Sequence, residues 1–369
     1  MVDHRDVRVF RSKRPADGPA RAVQVARSSL PCSTVAGNPC SPLGVALAVI
    51  RRTFRLVLCA ALLVTVADGC SLGGNHAETD VIPTTRETES APKAVVPGRR
   101  EGLILFWKES PWPSIWSVRP DGSQLGWAYR THQNAKRPTL SPDRKWIAFD
   151  GAAPGKAPLT DFDIEIVRRD GTGLKTLTRS QQWDIDAQWS PNGTLLSFSR
   201  FPPHQVEEGD SVIWTVRHDG SGLRRLVRGF GARWSPDGKQ LVFAAPTVGS
   251  EGDLFVMNAD GSGRRLLLAT PEAKQAAAWA PDGKEILFTR FDRSGGADVF
   301  VMDAEGTQVR RLTEPGAANI AGAWSPNGSE ILFTRGPPGN AELLVMDADG
   351  SHERTISDDR FRGYEPSWR

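Results

Sequence analysis

A pentapeptide that returns every 45 residues constrains this chain more than any other feature. Trp189-Ser190-Pro191-Asn192-Gly193, Trp234-Ser235-Pro236-Asp237-Gly238, Trp279-Ala280-Pro281-Asp282-Gly283 and Trp324-Ser325-Pro326-Asn327-Gly328 keep that spacing. A weaker copy, Leu140-Ser141-Pro142-Asp143-Arg144, lies 49 residues upstream of the first. Each copy is followed by a short apolar run ending in phenylalanine, at Phe149, Phe198, Phe243, Phe288 and Phe333. A second apolar run then leads to an acid and a glycine, at Asp121-Gly122, Asp170-Gly171, Asp219-Gly220, Asp260-Gly261, Glu305-Gly306 and Asp349-Gly350. Self-similarity at such a period is the mark of a solenoid, a propeller or an array.

Turn chemistry converts each repeat into four short strands. Proline presets φ for the second position of a turn, and Asn-Gly or Asp-Gly supplies the positive φ of a tight hairpin between β-rich runs. We label the strands A (ending at the Trp), B (ending at the Phe), C (before Asp-Gly) and D (after it). Strand C is apolar nearly throughout, as in Leu254-Phe255-Val256-Met257, and must be covered on both faces. Strand D carries charges, as in Leu223-Arg224-Arg225-Leu226, which suits an outer edge blunted against pairing. Four-stranded sheets covered on both faces at this period are propeller blades. The repeat region begins with Gly102 to Phe106, a strand B without its A, and ends with Glu365 to Arg369, a strand A without its B. The expected fold is all-β: six four-stranded antiparallel blades, the ring closed by N- and C-terminal strands sharing one blade.

On these residues the chain resembles the TolB-like β-propeller family, whose repeat reads W-S-P-D-G-K-x-I-x-F-x-x-x-R, then I-x-V-M-x-x-D-G, then R-x-L-T. The resemblance spans about 101–369. It stops there, because TolB carries an α/β domain before its propeller and the segment ahead of residue 101 cannot supply one. No Tol–Pal role is assigned on it.

The front of the chain reads as an address. Arg51, Arg52 and Arg55 precede Leu56 to Val66, eleven residues without a charge, followed by Ala67-Asp68-Gly69-Cys70. A charged region, a 7–15-residue apolar core and a small-residue cleavage site make a secretory signal. The end of it, Gly69-Cys70-Ser71, resembles a bacterial lipoprotein signal, which implies lipid attachment at Cys70. Residues 1–44 then read as a leader from a misassigned start, 45–69 as the signal peptide, 70–100 as a disordered tether and 101–369 as the propeller. The formal charge of +3 belongs to this front part. Residues 1–70 hold ten Lys and Arg against four acids, which leaves 71–369 at net −3 and argues against a nucleic-acid partner. No cysteine remains beyond Cys70, so stability has to come from a core.

No catalytic constellation is legible. The sequence has no G-x-S-x-G elbow and no paired histidine spacing, so neither a cofactor nor a metal is expected. Asp161/Asp163 and Asp184/Asp186 alternate as Ca²⁺ ligands do, but read more simply as solvated strand ends. The A–B and C–D turns share one face of the ring and are uniform. The B–C and D–A connections share the other and vary, which makes that face the candidate binding surface. It carries Trp112, Trp183, Asp184, Asp186, Arg200, Arg290, Arg335, Arg362 and Tyr364. The simpler alternative for its arginines is that they bond carbonyls of neighbouring blades. The expected function is a monomeric, non-catalytic envelope lipoprotein, anchored to the membrane and binding a protein or glycan. Two alternatives stand beside it: a carbohydrate-active or hydrolytic propeller with a site at the channel mouth, and a TolB-like envelope-assembly factor.

Overall fold

The computed structural model describes residues 102–108, 114–130, 134–152, 162–202, 211–248, 250–292, 294–337, 340–358 and 362–369. The leader, the signal segment, Cys70, the tether and Trp112 lie outside these residues. Blade 1 begins with β1 (Ile104–Lys108), β2 (Ser114–Val118) and β3 (Gly126–Tyr129). Blade 2 is β4 (Ala135–Leu140), β5 (Trp146–Ala152), β6 (Phe162–Arg168) and β7 (Lys175–Thr176). Blade 3 is β8 (Trp183–Trp189), β9 (Leu195–Phe201), β10 (Val212–Arg217) and β11 (Arg224–Arg228). Blade 4 is β12 (Phe230–Trp234), β13 (Gln240–Thr247), β14 (Ser250–Asn258) and β15 (Arg265–Leu268). Blade 5 is β16 (Lys274–Trp279), β17 (Glu285–Phe291), β18 (Ala297–Asp303) and β19 (Arg310–Arg311). Blade 6 is β20 (Asn319–Trp324), β21 (Glu330–Arg335), β22 (Glu342–Asp347) and β23 (Arg354–Thr355). The last strand, β24 (Tyr364–Trp368), returns to blade 1 and pairs antiparallel with β1. Six four-stranded sheets result, each in the order A-B-C-D.

The repeat residues do the same work in every blade. Phe106, Phe149, Phe198, Phe243, Phe288 and Phe333 are all buried, at 1% exposure or less. Each packs strand B against a neighbouring sheet, which stabilises by about 1.5–3 kcal/mol relative to an exposed ring. Strand C is buried on both faces, as expected where its run is apolar, and in blade 2 it stays buried although Asp163 and Glu165 interrupt the run. The strand-A tryptophans stand between blades: the indole N–H of Trp189 donates to the Thr139 carbonyl (3.3 Å), and that of Trp234 to the Gln188 carbonyl (3.1 Å).

The A–B turn is built by side chains. In blade 4 the Ser235 hydroxyl donates to Asp237 (2.6 Å), whose carboxylate also accepts from the Lys239 amide (3.0 Å). Gly238, at φ 71°, then brings its backbone against Pro191 of the preceding blade. Gly193, Gly283 and Gly328 meet Pro142, Pro236 and Pro281 in the same way. The Pro and the Gly of the signature therefore act on different neighbours, and the motif couples blades as well as turning the chain.

Strand D does more than blunt an edge. Arg224 donates to the Asp260 carbonyl (3.0 Å), Arg310 to the Ala348 carbonyl (3.2 Å) and Arg354 to the Pro120 carbonyl (2.6 Å), each in the next blade's C–D turn. Bonding to a neighbouring blade's carbonyls, the alternative considered for the strand-B arginines, is thus made by the strand-D arginines. Phe288→Ala should cost about 3–5 kcal/mol in urea denaturation, because a buried ring leaves a cavity. Leu223→Ala, at an exposed rim position, should stay within about 0.5 kcal/mol of wild type.

Candidate functional site on the inner wall

Neighbouring A strands contact one another around the ring and form its inner wall. In every blade the pairing of A with B slips at one place: between Lys136 and Thr139, Ile185 and Gln188, Phe230 and Arg233, Ala276 and Ala278, Ala321 and Ala323, and opposite Leu105 and Trp107 in the closing blade. Such a β-bulge bends a strand and re-aims a side chain. The residue three before the strand-A Trp, or before Leu140 in blade 2, sits at each slip. In blades 1, 2 and 3 it is charged and held at positive φ: Glu365 (44°), Arg137 (48°) and Asp186 (60°). Non-glycine residues rarely adopt this region, and holding one there costs on the order of 1–3 kcal/mol.

These residues join across blade boundaries. Arg137 bonds Glu365 of blade 1 (2.8 Å) and Asp150 of its own blade (2.9 Å). The other oxygen of Asp150 accepts the backbone N–H of Asp186 (2.9 Å), and the Asp186 carboxylate bonds Arg233 of blade 4 (2.8 Å). Trp107 closes the far end by donating its indole N–H to Glu365 (2.9 Å). The result is an arc of three carboxyls and two guanidiniums over four consecutive blades. Blades 5 and 6 carry alanine at the corresponding positions, Ala276 and Ala321.

The residue after the strand-B Phe sets this geometry. Asp150 receives the Asp186 amide, Ser199 the Gly231 amide (3.0 Å) and Thr289 the Ala321 amide (2.9 Å). An amide freed by the bulge is thereby satisfied from the preceding blade. Asp150 is fully buried. Burial pushes its carboxyl up to about 8, against the opposing pull of Arg137. The three-to-two ratio of acids to guanidiniums agrees with that direction, since one retained proton makes the arc neutral. Burial opposes the charge on Arg137, but Glu365 and Asp150 more than restore it and raise its pKa above the ordinary value.

The candidate face separates into parts. Asp184, buried, takes a two-pronged bond from Arg200 (2.6 and 2.7 Å), whose guanidinium lies over Trp214 at 4.6 Å. Arg290 lies over Phe300 at 4.1 Å. Arg335 bonds Asn319 (2.8 Å) and Glu353 (2.8 Å), and Arg362 bonds Glu342 (2.6 Å). Trp183 packs edge-on against Phe162, and Tyr364 lies 4.8 Å from Trp107. Of these residues only Asp186 belongs to the arc. Asp184 and Asp186 are ion-paired, and Asp163 accepts from Thr178 and Ser180, so these three acids are not solvated strand ends; Asp161 lies outside the described residues. Among the described residues no three of His, Cys, Asp and Glu come together as a metal would need.

Arg137, Asp150, Arg233 and Glu365 were not singled out from sequence. A signal for them exists: aligned on the strand-A Trp, the third residue upstream reads Arg137, Asp186, Gly231, Ala276, Ala321, Glu365. Charge at three of six positions in an otherwise small-residue column marks the arc.

A family model described as the TolB beta propeller domain matches residues 154–369. Among solved structures, TolB from Acinetobacter baumannii is similar at 19% identity and a TM-score of 0.63, over 74% of this chain and 68% of that one. A nidogen/laminin complex is similar at 12% identity and a TM-score of 0.55, over 72% and 97%. A puromycin hydrolase is similar at 17% identity and a TM-score of 0.50, over 67% of this chain and 42% of that one. No curated protein matches the sequence. Binding proteins and hydrolases share this fold, so the fold does not choose between them.

The raised Asp150 pKa has a stability consequence. A carboxyl near 3.8 when unfolded and near 8 when folded gives the native state the extra proton, so stability falls as pH rises through the folded value. Wild type should lose about 3 kcal/mol between pH 6 and 9 relative to Asp150→Asn, measured by urea denaturation at each pH. Parallel curves would contradict the assignment.

Proposed function

The chain belongs to the TolB β-propeller family, and from that premise we propose that it is a non-catalytic binding scaffold of the bacterial cell envelope. It is anchored through lipid at Cys70 and offers the variable-loop face and channel mouth to a protein or glycan. The observation that carries this reading is the arc Glu365–Arg137–Asp150–Asp186–Arg233. Its groups pair with one another and are held by strained backbone, so the inner wall beside the channel mouth is a fixed frame for binding and not an adjustable one. A general acid or base needs a proton-transfer route to substrate; here Asp150 is enclosed by Arg137 and the Asp186 amide.

Solubilised envelope passed over the immobilised protein tests the reading. Wild type and the turn-face control Lys239→Ala/Lys284→Ala should retain the same protein or glycan, and Trp112→Ala/Trp183→Ala should lose it. Retention unchanged in the last variant would refute the assigned face. Metal-dependent turnover of polysaccharide or peptide by the purified protein would replace the scaffold with an enzyme. Intact mass of the mature N-terminus checks the lipid at Cys70.

A further inference from the structure

The outer edges of blades 2, 3 and 4 carry positive charge that blades 5 and 6 neutralise; in blade 2, Arg168, Arg169, Lys175 and Arg179 are exposed and none is ion-paired to a carboxylate of a described residue. In blades 5 and 6 the strand-D arginines meet carboxylates: Arg310 with Glu285, Arg311 with Asp298, Arg354 with Glu330. In blades 3 and 4, Arg217, Arg224, Arg225, Arg264 and Arg265 are exposed, and none is ion-paired to a carboxylate of a described residue. The two acids beside them, Asp219 and Asp260, are held in the C–D turns by Ser221 and Ser262. The Arg224 bond to the Asp260 carbonyl and the contact of Gly261 with Leu226 make the two edges continuous. Leu223 (46% exposed) and Leu266 (50% exposed) interrupt the arginines with apolar surface. β11 is also the longest D strand of the ring, five residues against two in blades 2, 5 and 6.

We infer that this edge docks the propeller on an anionic bilayer surface, the arginines facing lipid phosphates and Leu223 and Leu266 entering the headgroup layer. Basic residues interleaved with apolar ones suit that interface, where the surface potential attracts cations and exposed aliphatic side chains leave water. The body of the protein is otherwise acidic, at net −3 over 71–369, so the basic edge fixes one orientation. The choice of a bilayer over another polyanion rests on the lipid-anchored reading proposed above. The thirty or so residues between Cys70 and blade 1 can span about 100 Å when extended, enough for an edge across the ring to reach the membrane.

Flotation of the full chain with vesicles of 30% phosphatidylglycerol in phosphatidylcholine tests this. Each basic residue near such a surface is worth about fivefold in partition. Arg225→Glu/Arg265→Glu, compared with wild type in the same full-length background, should lose at least tenfold at 50 mM NaCl. The two proteins should converge at 500 mM NaCl and on pure phosphatidylcholine, and both should remain folded at the assay temperature. Equal partition on anionic vesicles at low salt overturns the proposal. Leu223→Ser/Leu266→Ser should lower vesicle partition severalfold and leave retention on heparin unchanged. Unchanged partition in that variant also overturns it, in favour of a soluble polyanion. Both comparisons hold the N-terminal segment constant, so a Cys70 without lipid would remove the anchor yet leave the edge measurement readable.

Discussion

The pairing of β24 with β1 is the constraint on which the other five blades depend. A ring of identical units has no ends only if one unit is assembled from both termini of the repeat region. Here the register Ile104 with Trp368 and Leu105 with Ser367 completes blade 1, and Leu103 and Arg369 exchange backbone hydrogen bonds at its margin. The seam is also tied to blade 2, by Arg137 to Glu365 and by the Ser367 hydroxyl to the Pro138 carbonyl (2.8 Å). Without it, β1 would be an unpaired edge and the face that β24 packs on β4 would open to water.

Within that closed frame the same backbone device serves two ends. The strand-A bulge is common to all six blades, so its cost belongs to the architecture. What differs is the side chain placed on it. Small residues in blades 4 to 6 leave the wall plain, whereas Glu365, Arg137 and Asp186 turn three adjacent bulges into one charged arc. A comparable exchange occurs farther out. Trp116, Trp214, Phe255, Phe300 and Leu344 occupy one place in strand C, while blade 2 has Glu165, buried and pushed up to about 7 mainly by desolvation. Gly151 stands beside it because a Cβ there would collide with that carboxylate.

Much of the fold was legible because the residues that set it repeat. The Trp, the Phe, the proline turn and the Asp-Gly turn each answer a local demand, and recurrence at 45 residues showed that the answers were structural. Even the closure of the ring followed from a strand B without an A and a strand A without a B. The arc was harder to see, because it depends on register. A bulge adds a residue to one strand without changing the hydrophobic alternation that sequence reveals, and it decides whether Asp186 faces Arg233 or a neighbour in its own sheet. Arg200 and Arg290 looked available for binding because a loop-proximal arginine does not announce the ring beneath it. Trp214 and Phe300 lie across a strand pair, visible only once the pairing is known. Arg224, Arg265 and Arg310 of strand D carried the same ambiguity, resolved by carbonyls 36 to 39 residues away.

The arc is a rigid unit that spans the seam. A double-mutant cycle on Arg137→Gln and Glu365→Gln, read by urea denaturation at pH 7, measures that directly. The two changes should be strongly non-additive, with a coupling energy of about 1–3 kcal/mol, as for partners in one hydrogen-bonded network. Additivity within about 0.3 kcal/mol would mean that the guanidinium and the carboxylate do not hold each other across blades 1 and 2, and the arc would lose its claim to be a preset site.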